Sequence, residues 1–108
     1  MHRNCFMAEA DVLREMEKWE DAAAAYRAVE LRYMNEPPAL EAILGRVSCL
    51  KKSGRPQEAD LLIRQAGVVL QRIPNEWDDR FADTTRYDRA GWEQLLTLMN
   101  NRIDNNGA

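Results

Sequence analysis

Apolar residues recur at spacings of three and four between short clusters of proline and glycine, and no other feature constrains the fold as much. Trp19, Ala22, Tyr26, Val29 and Tyr33 make one such stripe, and Leu40, Ile43, Leu44, Val47 and Leu50 make another. Ala59, Leu62, Ile63, Ala66, Val69, Leu70 and Ile73 make a third. Trp92, Leu95, Leu96, Met99 and Ile103 close the set. A stripe of this period is one face of an amphipathic helix. Pro37 and Pro38, then Gly54 and Pro56, then Pro74 separate the stripes. No segment alternates with period two, so the chain reads as all-α.

Local signals set the expected bounds. A first helix runs from about Asn4 to Glu17 on Phe6, Ala10 and Leu13, with Val12 and Met16 broadening the stripe. A second runs from Trp19 to about Met34. The third begins at Ala39 and ends at Lys52 or Ser53, its terminal lysines suiting the helix dipole. Gly54 supplies the left-handed residue that commonly follows a helix. The fourth opens on Pro56, where a missing N–H costs nothing, and reaches Arg72. Its Leu61 and Val68 form a second apolar line, expected to be covered by the segment that follows. Within that connector, residues 75–88, a short helix over 76–82 is predicted. The last helix starts near Arg89, capped by Asp88, and a frayed tail covers 104–108.

The helix pairs repeat. Lys18–Ala22 (KWEDA) aligns with Arg55–Ala59 (RPQEA), with Ala22 and Ala59 separated by 37 residues. In that frame Phe6 matches Ile43, Leu13 matches Leu50, Tyr26 matches Ile63 and Val29 matches Ala66. Helical repeats show such self-similarity. The pattern resembles the tetratricopeptide repeat (TPR) family over about residues 4–74. The matching residues are Phe6, Ala10, Leu13, Trp19, Ala22, Tyr26 and Val29, then Ile43, Val47, Leu50, Gly54, Ala59, Ile63 and Ala66. Four features depart from the family. Val47 stands where a small residue is preferred, and the period exceeds the usual length of about 34 residues. Pro37–Pro38 stand later than the family's single proline, and only two repeats are visible where a stable solenoid usually needs about three or a cap. The resemblance implies antiparallel helix pairs stacked as a short right-handed solenoid. Repeat one covers about 4–36 and repeat two about 39–74, with a capping helix over 89–103. The small side chains of the alanine run Ala22–Ala25 then let a neighbouring helix come close. The chain also resembles the C-terminal end of longer bacterial TPR proteins of the cell envelope.

In the family the first helices of each pair line a concave groove that takes peptides or helices. The resemblance thus points to Asn4, Met7, Asp11 and Arg14 from the first helix. From the third it points to Glu41, Leu44, Ser48 and Lys51. The carboxylate clamp of some members needs Lys and Asn where Met7 and Asp11 stand, so that clamp is not expected. Arg14 and Lys51 fall at equivalent places and form a candidate basic pair. The aromatic segment of Trp77, Phe81, Tyr87 and Trp92 is a second candidate surface, with packing against the Leu61–Val68 line of the fourth helix as its alternative. The implied partner is a protein or peptide, with a structural spacer in a longer array as the alternative.

Other functions find less support. The formal charge is −3 and both signs are scattered, whereas a nucleic-acid binder shows a basic excess or stripe. The longest apolar runs are a few residues, far short of a membrane span of about 20. Cys5 and Cys49 lack ligand spacing and read as buried thiols, with a disulfide between them as the alternative. His2 is the single histidine. Asp78, Asp79 and Asp83 cluster near Arg80 but lack a calcium-loop pattern, and they read as helix caps. Neither an enzyme nor a cofactor is expected. A complete chain would be cytoplasmic, and a fragment of a longer protein is compatible with the bacterial envelope.

Overall fold

The computed structural model describes residues 4–81, 85 and 87–106, and within that set the side chains of residues 7–103. Among the described residues five α-helices follow one another: α1 (Asn4–Glu15), α2 (Trp19–Arg32), α3 (Pro38–Lys52), α4 (Pro56–Arg72) and α5 (Arg89–Asn106). A 3-10 helix, Asn75–Arg80, lies between α4 and α5. No strand occurs among the described residues.

The bounds follow from end chemistry. Helix α4 keeps its expected limits, with Pro56 at its first position and Ile73 already extended before Pro74. Helix α1 stops at Glu15, two residues short of expectation, because Glu17 turns left-handed at φ 60°. Helix α5 is capped by Asp88, whose Oδ1 accepts the Gly91 N–H at 2.8 Å. It runs to Asn106, past the expected end at 103.

The turns after α1 and α3 carry the same hydrogen bonds, displaced by 37 residues. Met16 N–H donates to Val12 O, and Ser53 N–H to Cys49 O. Glu17 N–H donates to Arg14 O, and Gly54 N–H to Lys51 O. Lys18 N–H reaches Leu13 O, and Arg55 N–H reaches Leu50 O. The last two pairs make a Schellman turn, which needs a left-handed residue at its corner. Gly54 fills that corner at φ 83° without steric cost, whereas Glu17 carries a Cβ there. Glu17→Gly should therefore stabilise the fold by about 0.5–1 kcal/mol. A melting curve would show a rise of roughly 4 °C; an unchanged or lower Tm would contradict the reading.

Two clusters form the interior and α3 joins them. Met7, Ala10, Ala22, Tyr26, Ala42 and Cys49 pack where α1, α2 and α3 meet. Leu40, Ile43, Val47 and Leu50 of α3 pack instead with Leu62, Ile63, Ala66 and Leu70 of α4. Phe81, Trp92 and Leu96 complete this larger cluster. Thus α4 is covered by α3 on one side and α5 on the other.

Two packing expectations are corrected. Leu61 and Val68 do not receive the aromatic segment; they are 58% and 49% exposed. Phe81 and Trp92 sit beside Leu70 and Ile73 on the principal face of α4 and are fully buried. Val12 and Met16 do not broaden the packed stripe of α1 but point outward. Trp92 settles its indole by donating Nε1–H to the buried Thr85 Oγ1 at 2.9 Å. That hydroxyl lies 2.8 Å from both Phe81 O and Tyr87 O, and its one proton serves one acceptor at a time.

Candidate interaction surface

The proposed groove residues separate into buried and accessible groups. Met7 is buried in the cluster around Tyr26, and Glu41 is buried at 4% exposure near the start of α3. Asp11, Arg14, Leu44 and Ser48 are half-buried, and Lys51 is exposed. The side chain of Asn4 lies outside the described residues. Met7 and Glu41 thus belong to the packed interior, and the accessible remainder is Asp11, Arg14, Leu44, Ser48 and Lys51. Leu44 leans on the larger cluster while keeping part of its surface open.

Tyr26 organises the α1 side of this region. Its hydroxyl donates to Asp11 Oδ1. Arg14 lies 3.8 Å from the same carboxylate oxygen, and its guanidinium sits 5.7 Å from the Tyr26 ring centroid. Arg14 is therefore tied to α1 and α2 before it meets any partner. On its other side the Tyr26 ring lies against Gly45: a Cβ built on Gly45 would fall 2.5 Å from two ring carbons. Thus Tyr26 of α2 touches both α1 and α3.

Burial is the main reason the Tyr26 hydroxyl holds its proton far above the ordinary tyrosine range. The hydrogen bond to Asp11 and that carboxylate's charge push the same way, and Arg14 opposes them. An unfolded tyrosine ionises near pH 10. Below that pH both states keep the proton and the site contributes fully. Above it the unfolded chain ionises first, so stability falls with rising pH. Tyr26→Phe should cost about 1 kcal/mol at neutral pH and flatten the decline above about pH 10. Urea titrations at both ends of that range would test this. Parallel pH curves for the two proteins would count against the assignment, since the other tyrosines are common to both.

Two ion pairs bind α2 to α3 and to the residue that precedes α4. Arg46 Nη1 donates to both carboxylate oxygens of Glu30, at 2.7 and 2.9 Å. Burial still raises the Glu30 pKa, outweighing Arg46 beside it. Arg55 Nη2 reaches Glu20 Oε1 at 3.0 Å, a more exposed pair of small energetic weight. Sequence reasoning singled out neither pair, nor Gly45. The signal for Gly45 was available, because a glycine inside a helix loses about 1 kcal/mol against alanine and asks for a packing reason.

Of the residues weighed for chemistry, Cys49 is packed in the interior, and Asp78 is held in an ion pair and is not a helix cap. The side chains of His2 and Cys5 lie outside the described residues. Cys49 is a free thiol, 1% exposed, and burial raises its pKa. A nucleophilic cysteine needs the opposite shift. Asp78 accepts from Arg89 Nε at 2.6 Å; Asp83 lies outside the described residues. No group of three His, Cys, Asp or Glu side chains converges to hold a metal ion among the described residues. Nor is any helix among them long and apolar enough to cross a membrane. No family model, curated protein or solved structure matches the chain.

Proposed function

We infer that the chain is a TPR-like interaction module that holds a peptide or helix against the surface of α1 and α3. The carrying observation is the pair of turns with matching hydrogen bonds 37 residues apart, which supports reading α1–α2 and α3–α4 as equivalent units. The flat form, 37 × 34 × 18 Å, is in keeping with helix pairs laid side by side as a short right-handed solenoid. α5 closes the end of the array, burying Trp92 and Leu96 while Glu93, Gln94, Thr97 and Asn101 face solvent. Arg14 is offset by Asp11 beside it, so on the groove side the accessible Leu44 and Lys51 favour a peptide with an apolar anchor and an acidic group.

Peptides selected by display on the purified chain would test this. Selected binders should be acidic and should shift the amide resonances of Leu44, Ser48 and Lys51. Lys51→Glu should weaken them about fivefold, the scale of one exposed charge reversal. Binders that map only to α5, or that ignore the charge at position 51, would overturn the assignment. A structural spacer is the second reading, and the exposure of Val12 and Met16 on α1 favours it, since a longer array would cover them.

A further inference from the structure

The two units are equivalent in their turns but unequal in what covers their first helices. Helix α3 has two packed faces. Ile43, Val47 and Leu50 meet α4 within the larger cluster. Ala42, Gly45, Arg46 and Cys49 meet α2, through the Tyr26 ring, Glu30 and the smaller cluster. Subtracting 37 places Cys5, Ala8, Glu9 and Val12 at the same positions on α1. At 100° per residue these four and Met16 fall within one arc of about 100°. Among the described residues nothing supplies that cover: Ala8 and Glu9 are exposed, and Val12 is 57% exposed where Cys49 is 1%; the side chain of Cys5 lies outside the described residues. Met16, also 57% exposed, continues the line.

We propose that this outer face of α1 docks an amphipathic helix of a partner protein, in the manner in which α3 docks α2. The α2–α3 contact specifies the occupant. α2 lays Tyr26 on Gly45, pairs Glu30 with Arg46 and pairs Glu20 with Arg55. The corresponding receptors on the first unit are Ala8, Glu9 and Lys18. Ala8 has a methyl where Gly45 has none, so the ring gives way to a smaller apolar side chain such as leucine. Glu9 inverts the charge of Arg46, so the partner needs a base where α2 has Glu30. Lys18 keeps the sign of Arg55, so an acid stays at the place of Glu20. The occupant is thus an amphipathic helix with an acid, an apolar residue six positions on, and a base four beyond that. The inference rests on the repeat register and not on the groove beside Lys51.

Two labelled peptides spanning residues 18–33 make the test. Both carry Tyr26→Leu, and one also carries Glu30→Lys. Fluorescence anisotropy with the intact chain should show about fivefold tighter binding of the lysine peptide. Glu9→Arg in the protein should reverse that preference, and Val12→Asp should abolish binding of both. Val12 and Glu9 are exposed, so neither change disturbs the interior. Lys51→Glu should leave this binding unmoved, which separates a failure here from a failure of the groove. Absence of binding by either peptide, or a preference indifferent to Glu9→Arg, would overturn the proposal. The second result is also what a peptide displacing α2 would give. Self-association lost on Val12→Asp, with no peptide bound, would assign the face to a second copy and overturn it as well.

Discussion

Gly45→Val is expected to destabilise the chain by about 3 kcal/mol, the upper end for overpacking a well-filled interior. Even the first carbon of the new side chain meets the Tyr26 Cε1 and Cζ atoms at 2.5 Å. The ring has little room to retreat, because its hydroxyl is held by Asp11 and the residue is 1% exposed. Glycine is a poor helix former, so any substitution first gains about 1 kcal/mol or less in propensity. The clash must exceed that gain for the prediction to hold. Gly67 supplies the control. It also lies inside a helix, and a Cβ there meets nothing within 4 Å. Gly67→Ala should therefore stabilise by up to about 1 kcal/mol, while Gly45→Ala goes the other way. A double-mutant cycle with Tyr26→Leu identifies the cause. With the ring gone, the cost of Gly45→Ala should shrink by more than about 1 kcal/mol, the coupling expected of touching residues. Additive losses would mean that the ring is not the obstacle.

The same site shows how much the sequence could tell. The stripe through Trp19, Ala22 and Tyr26 was legible because helical spacing, small residues and an aromatic agree locally. Ala22 is fully buried at the crossing, whereas Ala24 faces solvent. What touches that stripe was less legible. Tyr26 meets Asp11 and Gly45, residues 15 positions before it and 19 after it, and no short-range pattern links the three. The left-handed Glu17 had a signal only through its equivalence to Gly54, since glutamate itself does not favour that conformation. Met7 and Glu41 were drawn to the groove by position in the repeat. Met7 instead joins Tyr26 and Cys49 where α1 and α3 converge on α2, which takes it out of reach of a partner. Helix limits set by proline and by an aspartate cap were readable, because those residues act on their own backbone. The contacts of Leu61 and Val68 were not, because two apolar faces on a helix do not say which one a neighbour will use.

Arg89→Ala should cost about 3 kcal/mol, as expected when a mostly buried charged group with several hydrogen bonds is removed. Arg89 opens α5, yet its guanidinium serves the end of α4. Nη1 donates to Leu70 O at 3.0 Å, and Nη2 donates to Ile73 O at 2.8 Å and Pro74 O at 3.1 Å. Nε donates to Asp78 at 2.6 Å, and the charge sits 5.0 Å from the Phe81 ring centroid. A cation at a helix N-terminus opposes that helix's own dipole by roughly 0.3–1 kcal/mol. Carbonyls at the end of α4 return more, because each hydrogen bond to a charged group is worth about 1.5–3 kcal/mol. The planar fork is what reaches three carbonyls and a carboxylate at once, so Arg89→Lys should recover only a small part. Asp78 is 46% exposed, so Asp78→Asn should cost less than about 1 kcal/mol. Urea unfolding followed by tryptophan fluorescence separates these cases, because Trp77 and Trp92 both pack in the affected cluster. Equal losses for Arg89→Ala and Asp78→Asn would mean that the surface ion pair, and not the closure of α4 by its carbonyls, is all that Arg89 contributes. A loss confined to Arg89→Ala, with faster amide exchange at Ile73 and Trp77, would place the clamp where α4 hands the chain to the segment that seals its open side.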